Sequence, residues 1–306
     1  MIVCFDIGGT AIRAAAAQDR DSIAALGRMA TPAHDFDAFV AALAGFVAAA
    51  GGRVRRVALS IAGVTDPETG RLTCANIPCI DGRPLAADLG ERLGIPVIVA
   101  NDADCFAVAE AGLGAGRGHR IVFGIILGTG VGGGLVVDGR LVNSDGGFAG
   151  EWGHGPAVAA SAGTPPVEIP SLACPCGQSR CVDTLGGARG MERLHRMLHA
   201  ADLSSEAIVS AWQAGDARAT RIIDILVDLL ASPLALAVNI TGASIVPVGG
   251  GLSHAAPLIA ALDACVRARI LRRLERPLVV PGTCQAAAAG LEPGLIGAAL
   301  MALDAA

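Results

Sequence analysis

The sequence predicts an α/β chain of two domains built on one repeated plan. Two strand, glycine-turn, strand segments recur about 120 residues apart, the first around Asp6–Thr10 and the second around Gly128–Gly134. Between them a β-prone run stops at Asn101 and Asp102, where helix formers begin. The third observation is length, 306 residues where about 100 to 200 make one domain.

Apolar runs 2–5 and 12–17 flank Asp6-Ile7-Gly8-Gly9-Thr10, so the turn joins two antiparallel strands. Gly8 and Gly9 lack a Cβ, which lets backbone N–H groups approach an anion, and Thr10 adds a hydroxyl; an ordinary tight turn is written the same way. Phe36, Phe39, Val40, Leu43 and Val47 recur at helical spacing and predict an amphipathic helix. Residues 54–61 read as a strand and 62–70 as loop and turn, ahead of a short run ending at Asn76. A helix over 85–93 leads into the strand 96–100. Asn101 and Asp102 follow at its carboxyl end, where open α/β sheets bind their ligands. On spacing alone Asp102 is equally an N-cap. Gly112, Gly114, Gly116 and Gly118 place a hinge there, giving domains 1–113 and 114–289.

The second half repeats the opening, with strand 121–127, glycine turn, strand 135–137 and the hairpin turn Asp138-Gly139. Gly128, Gly130 and Gly133 match a dinucleotide fingerprint, but that fingerprint needs a helix after the glycines and a β-run follows. The paired hairpins instead predict a nucleotide-phosphate clamp. A long helix over 216–239, bent at Pro233, packs through Ile222, Leu226, Leu229, Leu230 and Ala237. Strand 245–248 then enters Gly249-Gly250-Gly251, a third glycine turn placed under a nucleotide base or ribose, or a plain β-to-α turn. Helices over 257–274 and 294–303 complete the order.

Composition narrows the function. With 53% hydrophobic and 17% charged residues the chain buries a sizeable core, and a net charge of −5 argues against a nucleic-acid groove. The sequence contains no lysine and no tyrosine, which excludes mechanisms needing a Walker lysine, a protein-kinase strand lysine or a Schiff base. Stretches 121–137 and 229–253 lack charge, yet Pro233, Asn239, Gly242, Pro247 and the glycines divide them below bilayer-spanning length, so no membrane partner is expected. Met1–Phe5 has no basic n-region and reads as a first strand, which predicts a cytoplasmic protein.

Cys174-Pro175-Cys176-Gly177-Gln178-Ser179-Arg180-Cys181 brings three thiols within eight residues of loop, and His154 upstream completes an S₃N set suited to tetrahedral Zn²⁺. With all four positions filled by protein, the metal is expected to be structural. His195 and His199 stand at i and i+4, but without the Glu of H-E-x-x-H they read as a solvated helix face.

With these residues in place, the chain resembles the ROK family of sugar kinases and repressors, and is most similar to its N-acetylglucosamine-phosphorylating branch. The resemblance rests on Asp6–Thr10, Asn101-Asp102, Gly128–Gly134, the G-E-x-G-H run at Gly150–His154 and the C-x-C-G-x-x-x-C run at Cys174–Cys181. It implies an actin-like fold of two RNase H-like domains, with the segment 290–306 packing back on the first. It implies ATP-dependent phosphorylation of a hexose 6-hydroxyl, N-acetylglucosamine first and glucose, fructose or N-acetylmannosamine as alternatives. Asp102 would take the hydroxyl proton. Gly63, Asn76, Asn101, Glu151, His154 and Asp183 would hold the sugar. Gly8, Gly9, Thr10, Gly128, Thr129, Gly130, Gly132, Gly133 and Gly249–Gly251 would hold ATP, with Asp6 near Mg²⁺. His154 would also ligate zinc with Cys174, Cys176 and Cys181. A homodimer is the implied assembly, with a tetramer as alternative; a non-catalytic sugar-responsive regulator is the rival function. Four positions depart from the family pattern: Ala11 for Lys, Ala62 for Pro, Arg180 for Gly and Asp183 for Glu.

Overall fold

The computed structural model describes residues 1–271, 273–284 and 290–305. By contact the chain divides into two units: Met1–Gly118, Gly134–Ala149 and Thr283–Ala306 form the first, His119–Gly133 and Gly150–Gly282 the second. The division predicted at 113/114 thus has a different outline, because residues 134–149 join the first unit. Residues 285–289 and 306, at the ends of the predicted segments, lie outside the described residues.

The first unit carries strands β1 (Ile2–Ile7), β2 (Ala11–Ala17), β3 (Ile23–Ala30), β4 (Arg56–Ile61), the short pair β5 (Val64–Thr65) and β6 (Leu72–Thr73), and β7 (Val97–Asn101). Helices α1 (Phe36–Ala49), α2 (Leu85–Leu93) and α3 (Asp102–Leu113) lie between and after them. The sheet order is β3-β2-β1-β4-β7, with β1, β4 and β7 parallel and the β1-β2-β3 meander antiparallel. Strand alternation sends successive side chains to opposite faces. Val3, Phe5 and Ile7 pack with Phe39, Leu43, Leu85 and Leu89, while Ile2 and Cys4 pack with Cys105, Leu295 and Ala299. The same alternation carries Asp6, at the carboxyl end of the central strand, onto the second of these faces.

The second sheet repeats the plan. Strands β8 (Ile121–Leu127), β9 (Val131–Val137), β10 (Arg140–Leu141), β13 (Val246–Gly249) and β14 (Val279–Pro281) run in the order β10-β9-β8-β13-β14, with the hairpin β11 (Ser161–Ala162) and β12 (Val167–Glu168) outside it. A meander followed by two parallel strands, twice over, is the duplicated RNase H-like order of actin-like proteins. Asp138 and Gly139 turn between β9 and β10 with φ of 51° and 76°, as a two-residue hairpin requires. Helices α4 (Ala188–His199), α5 (Ser205–Gln213), α6 (Ala217–Thr241) and α7 (Ala256–Arg267) belong to this unit, and α8 (Pro293–Asp304) to the first.

Several expectations are corrected. Helix α6 contains Pro233 and runs past the predicted end at 239 to Thr241, where Gly242 (φ 70°) caps it. By length and composition it could cross a membrane, but 61% of its most apolar 18-residue window is buried within the protein, as a core helix requires. The helix predicted over 257–274 stops at Arg267; Asp263 Oδ1 accepts from the N–H groups of Leu278 and Val279 (2.8 and 2.9 Å), so the chain has to turn back. Arg272, within that predicted range, lies outside the described residues. Strand β9 begins at Val131, because Gly132–Gly134 are strand residues. A Cβ on Gly134 would sit 2.7 Å from Asp104 Cα, and one on Gly133 2.7 Å from Gly150 O. Gly112 is helical and its open side admits Leu300. At this end of α3 the buried Glu110 accepts from the N–H groups of Ala115, Thr283 and Cys284 (2.8, 3.1 and 2.9 Å), tying the departing and returning chain together. His195, read as solvated, is buried at 6% exposure and pairs through Nδ1 with Ala201 O (2.8 Å); a loop folded over α4 covers it.

Helix α8 packs on α3 where Gly297 meets Cys105. A Cβ there would collide with the Cys105 carbonyl and lie 2.6 Å from its Cα. Because the obstruction is backbone, Gly297→Ala is expected to destabilise the protein by about 2–4 kcal/mol, read as a lower denaturant midpoint at unchanged slope.

Candidate active site

In the first unit the strand ends collect the polar residues. Asn101 closes β7 in extended geometry and caps α3, its side chain accepting from Ala103 N–H at 2.8 Å and donating to Gly63 O at 3.0 Å. Asp102 is the first helical residue, so α3 does not depend on it for a cap, although its Oδ1 also reaches Ala103 N–H at 2.9 Å. Burial pushes its carboxyl above the ordinary carboxylate value, and the negative charge of Asp6 adds to the shift. Gly63 is needed for close approach, since a Cβ would lie 2.6 Å from Thr73 O.

Asp6 accepts from Arg13 Nη1 and from the fully buried Ser60 Oγ, both at 3.2 Å. Burial raises its pKa, opposed by Arg13 and Ser60. The amino end of α8 also reaches it, for a Cβ on Gly294 would lie 3.0 Å from Asp6 Cγ and 2.7 Å from Ser60 Oγ. Gly8 N–H donates to Ala11 O (3.0 Å) and Thr31 Oγ1 to Gly8 O (2.6 Å), fixing the first glycine turn, whose Gly9 and Thr10 are exposed. Gly9 leans on the exposed Asn76, whose carbonyl would be 3.0 Å from a Cβ. The first unit therefore brings Asp6, Gly8–Thr10, Gly63, Asn76, Asn101 and Asp102 to its own strand ends. Arg13 and Ser60, which grip Asp6, carried no sequence signal beyond their place on neighbouring strands.

In the second unit the second glycine turn is held from below. Gly128 N–H donates to Gly130 O (3.0 Å), Ala188 N–H to Gly128 O (2.8 Å) and Asp183 Oδ1 accepts from Val131 N–H (2.8 Å). Gly250 (φ 82°) packs on the same turn, where a Cβ would lie 2.7 Å from Gly128 N, bringing Gly249–Gly251 beside it. Trp152, unnoticed in the sequence, donates from Nε1 to Gly132 O at 2.9 Å and seats the Gly150–His154 run against β9.

The donor atoms of His154, Cys174, Cys176 and Cys181 lie within 4.8 Å of one another. His154 Nδ1 is 3.7 Å from Cys174 Sγ, and Cys176 Sγ is 3.6 Å from Cys181 Sγ. A tetrahedron with Zn–S of about 2.3 Å and Zn–N of about 2.0–2.1 Å has edges of about 3.6–3.8 Å, so the set fits zinc. Burial pushes the Cys174 thiol up to about 12, whereas Gln178 N–H brings the exposed Cys176 down to about 7; a cation is what the buried Cys174 and Cys181 require to be thiolates. His154 turns Nε2 toward Glu151, 3.8 Å away.

Arg180 takes a left-handed conformation, φ 60°, inside this loop. A residue with a Cβ pays about 1–2 kcal/mol there, and glycine's greater unfolded freedom returns about half of that. Arg180→Gly is expected to stabilise the zinc-loaded protein by about 0.5–1 kcal/mol, measured as an upward shift of its denaturant midpoint.

Comparison with known proteins matches the ROK family model over residues 2–305. N-acetyl-D-glucosamine kinase of Pectobacterium atrosepticum is 33% identical over 302 residues, covering 98% of each chain. N-acetylgalactosamine kinase AgaK of Shewanella sp. is 34% identical over 97% of this chain and 94% of its own. The crystal structure of a ROK family glucokinase from Streptomyces griseus, in complex with glucose and AMPPNP, superposes with a TM-score of 0.75 at 27% identity, covering 97% of both chains. The matched motifs, the duplicated sheet and the near-complete coverage agree: the chain belongs to the ROK family.

Proposed function

We propose that the protein is an ATP-dependent hexose or N-acetylhexosamine kinase that phosphorylates the 6-hydroxyl of N-acetylglucosamine. The observation that carries this reading is Asp102, a half-buried carboxylate of raised pKa at a strand end whose helix is already capped by Asn101. A carboxyl held above its ordinary pKa is a stronger base toward a hydroxyl. Asp102 takes the proton from O6 as O6 forms its bond to the γ-phosphorus, and the bond from that phosphorus to the β,γ-bridging oxygen breaks. Phosphoryl transfer of this kind is chiefly positioning and charge neutralisation, which suits a chain without lysine.

Gly63, Asn76, Asn101, Glu151 and His154 are the groups assigned to the sugar; Asp183, expected with them, is assigned instead to the second glycine turn, where its Oδ1 accepts from Val131 N–H at 2.8 Å. Gly8–Thr10, Gly128–Gly130, Gly132, Gly133 and Gly249–Gly251 are assigned to ATP. Mg²⁺, which takes one or two carboxylates besides substrate phosphates, suits Asp6 and would neutralise phosphate charge. Zinc in the His154, Cys174, Cys176 and Cys181 set holds the loop and does no chemistry. A cytoplasmic homodimer completes the proposal.

A relative of comparable identity is an N-acetylgalactosamine kinase, which makes the C4 epimer the second reading. ATP turnover over N-acetylglucosamine, N-acetylgalactosamine, N-acetylmannosamine, glucose and fructose separates the two. The highest kcat/KM is expected with N-acetylglucosamine, and a clear preference for the galacto epimer would replace it. A non-catalytic sugar binder would turn over none of them.

A further inference from the structure

We infer that Asp183 is a positioning residue for the second glycine turn, through which the zinc loop sets the grip on the nucleotide's phosphates; this rests on the phosphate reading of that turn proposed above. Asp183 follows the zinc-set Cys181 by two residues, in the short 3-10 turn Val182–Thr184. Its backbone N–H donates to Gly153 O at 2.9 Å, which anchors it to the run that supplies His154. Its Oδ1 accepts from Val131 N–H at 2.8 Å, and a Cβ on Gly130 would collide with that same oxygen. The carboxylate therefore meets the glycine turn through Oδ1.

The chain beyond Asp183 continues the support. A Cβ on Gly187 would sit 2.7 Å from Gly130 Cα and from Thr129 O. Ala188 N–H and Arg189 N–H donate to the carbonyls of Gly128 and Thr129, at 2.8 and 3.4 Å. Carbonyls are thereby drawn to the supporting side, and among the described residues no backbone acceptor takes the N–H groups of Thr129 and Gly130. Such free N–H groups on a glycine turn are what binds a phosphate oxygen. A charged acceptor makes a stronger hydrogen bond than a neutral one, so Asp183 fixes Val131 and with it the direction of the two N–H groups before it. The shorter arm of Asp matters here. One more methylene would push the carboxylate into Gly130, where no space remains.

The test is calorimetric binding of AMPPNP and, separately, of N-acetylglucosamine to the full-length zinc-loaded protein and its Asp183 variants. Asp183→Ala is expected to weaken nucleotide binding about tenfold while changing sugar affinity by no more than about twofold. Asp183→Asn keeps an acceptor oxygen and should return nucleotide affinity to within about threefold of wild type, whereas Asp183→Glu should not. Zinc content and denaturant midpoint confirm that each variant is folded. Should the Ala variant fail to fold, the Asn and Glu pair carries the same contrast. A loss of sugar affinity with nucleotide affinity intact, or Glu outperforming Asn, would overturn the inference and leave the kinase reading standing. Wild-type protein that binds no AMPPNP would overturn both. Wild-type protein that binds nucleotide but turns over no sugar would overturn the kinase reading alone.

Discussion

Asp102→Asn is expected to lower kcat by about 10²–10⁴, equivalent to about 3–5 kcal/mol of transition-state stabilisation, with the sugar KM changed by no more than about threefold. The substitution keeps the shape of the side chain and leaves the cap of α3 with Asn101, so what it removes is the base. The pH dependence gives an independent reading. Asp102 must be ionised to act, and its pKa is raised by burial and by Asp6, so the acid limb of kcat/KM in the wild type should lie above the ordinary carboxylate range. Stability should move the other way. A carboxyl raised on folding opposes the fold once pH passes its unfolded value of about 3.9, and that opposition is complete above its folded value. At pH 7 the Asn variant should therefore unfold at the same or a higher denaturant concentration than wild type. A variant that is both inactive and markedly less stable would mean that Asp102 holds structure.

Loss of zinc is the second large effect. Metal analysis of the purified protein should give one zinc per chain, and Cys174→Ser should lower that content several-fold. The metal set ties this loop to His154, and the loop leads within two residues to Asp183, so its loosening moves both groups. A misplacement of about 1 Å costs about 100-fold in rate, and kcat/KM is expected to fall by at least that much. Cys265, on α7 and outside the zinc set, is the control: Cys265→Ser should retain zinc and activity. Full activity in zinc-free protein would show that the loop needs no metal.

Much of this was legible in the chain because the informative residues are local. Asp6–Thr10, Asn101-Asp102 and Cys174–Cys181 each declare their chemistry within ten residues, and strand alternation fixes which face receives Asp6. Contacts made at long range were not legible. Ser60 and Arg13 reach Asp6 from neighbouring strands, Glu110 reaches Thr283 and Cys284 across 173 and 174 residues, and Asp183 reaches Val131 across 52. The glycines at 132–134 misled for the opposite reason: their composition signals a turn, but their lack of side chains serves close packing within a strand. His195 was misread because helical spacing shows which residues share a face and not which loop will cover it. Edge strand β3 was missed because most of its side chains are exposed, which weakens the apolar alternation that would have marked it.

The most direct measurement of the central claim is nuclear magnetic resonance of the sugar product made by wild-type protein from N-acetylglucosamine and Mg·ATP. The account predicts a single phosphomonoester whose phosphorus couples to the two protons on C6, formed in step with ADP and lost with Asp102→Asn. Phosphorus coupled to the anomeric proton, or ATP consumed with no sugar ester formed, would contradict it.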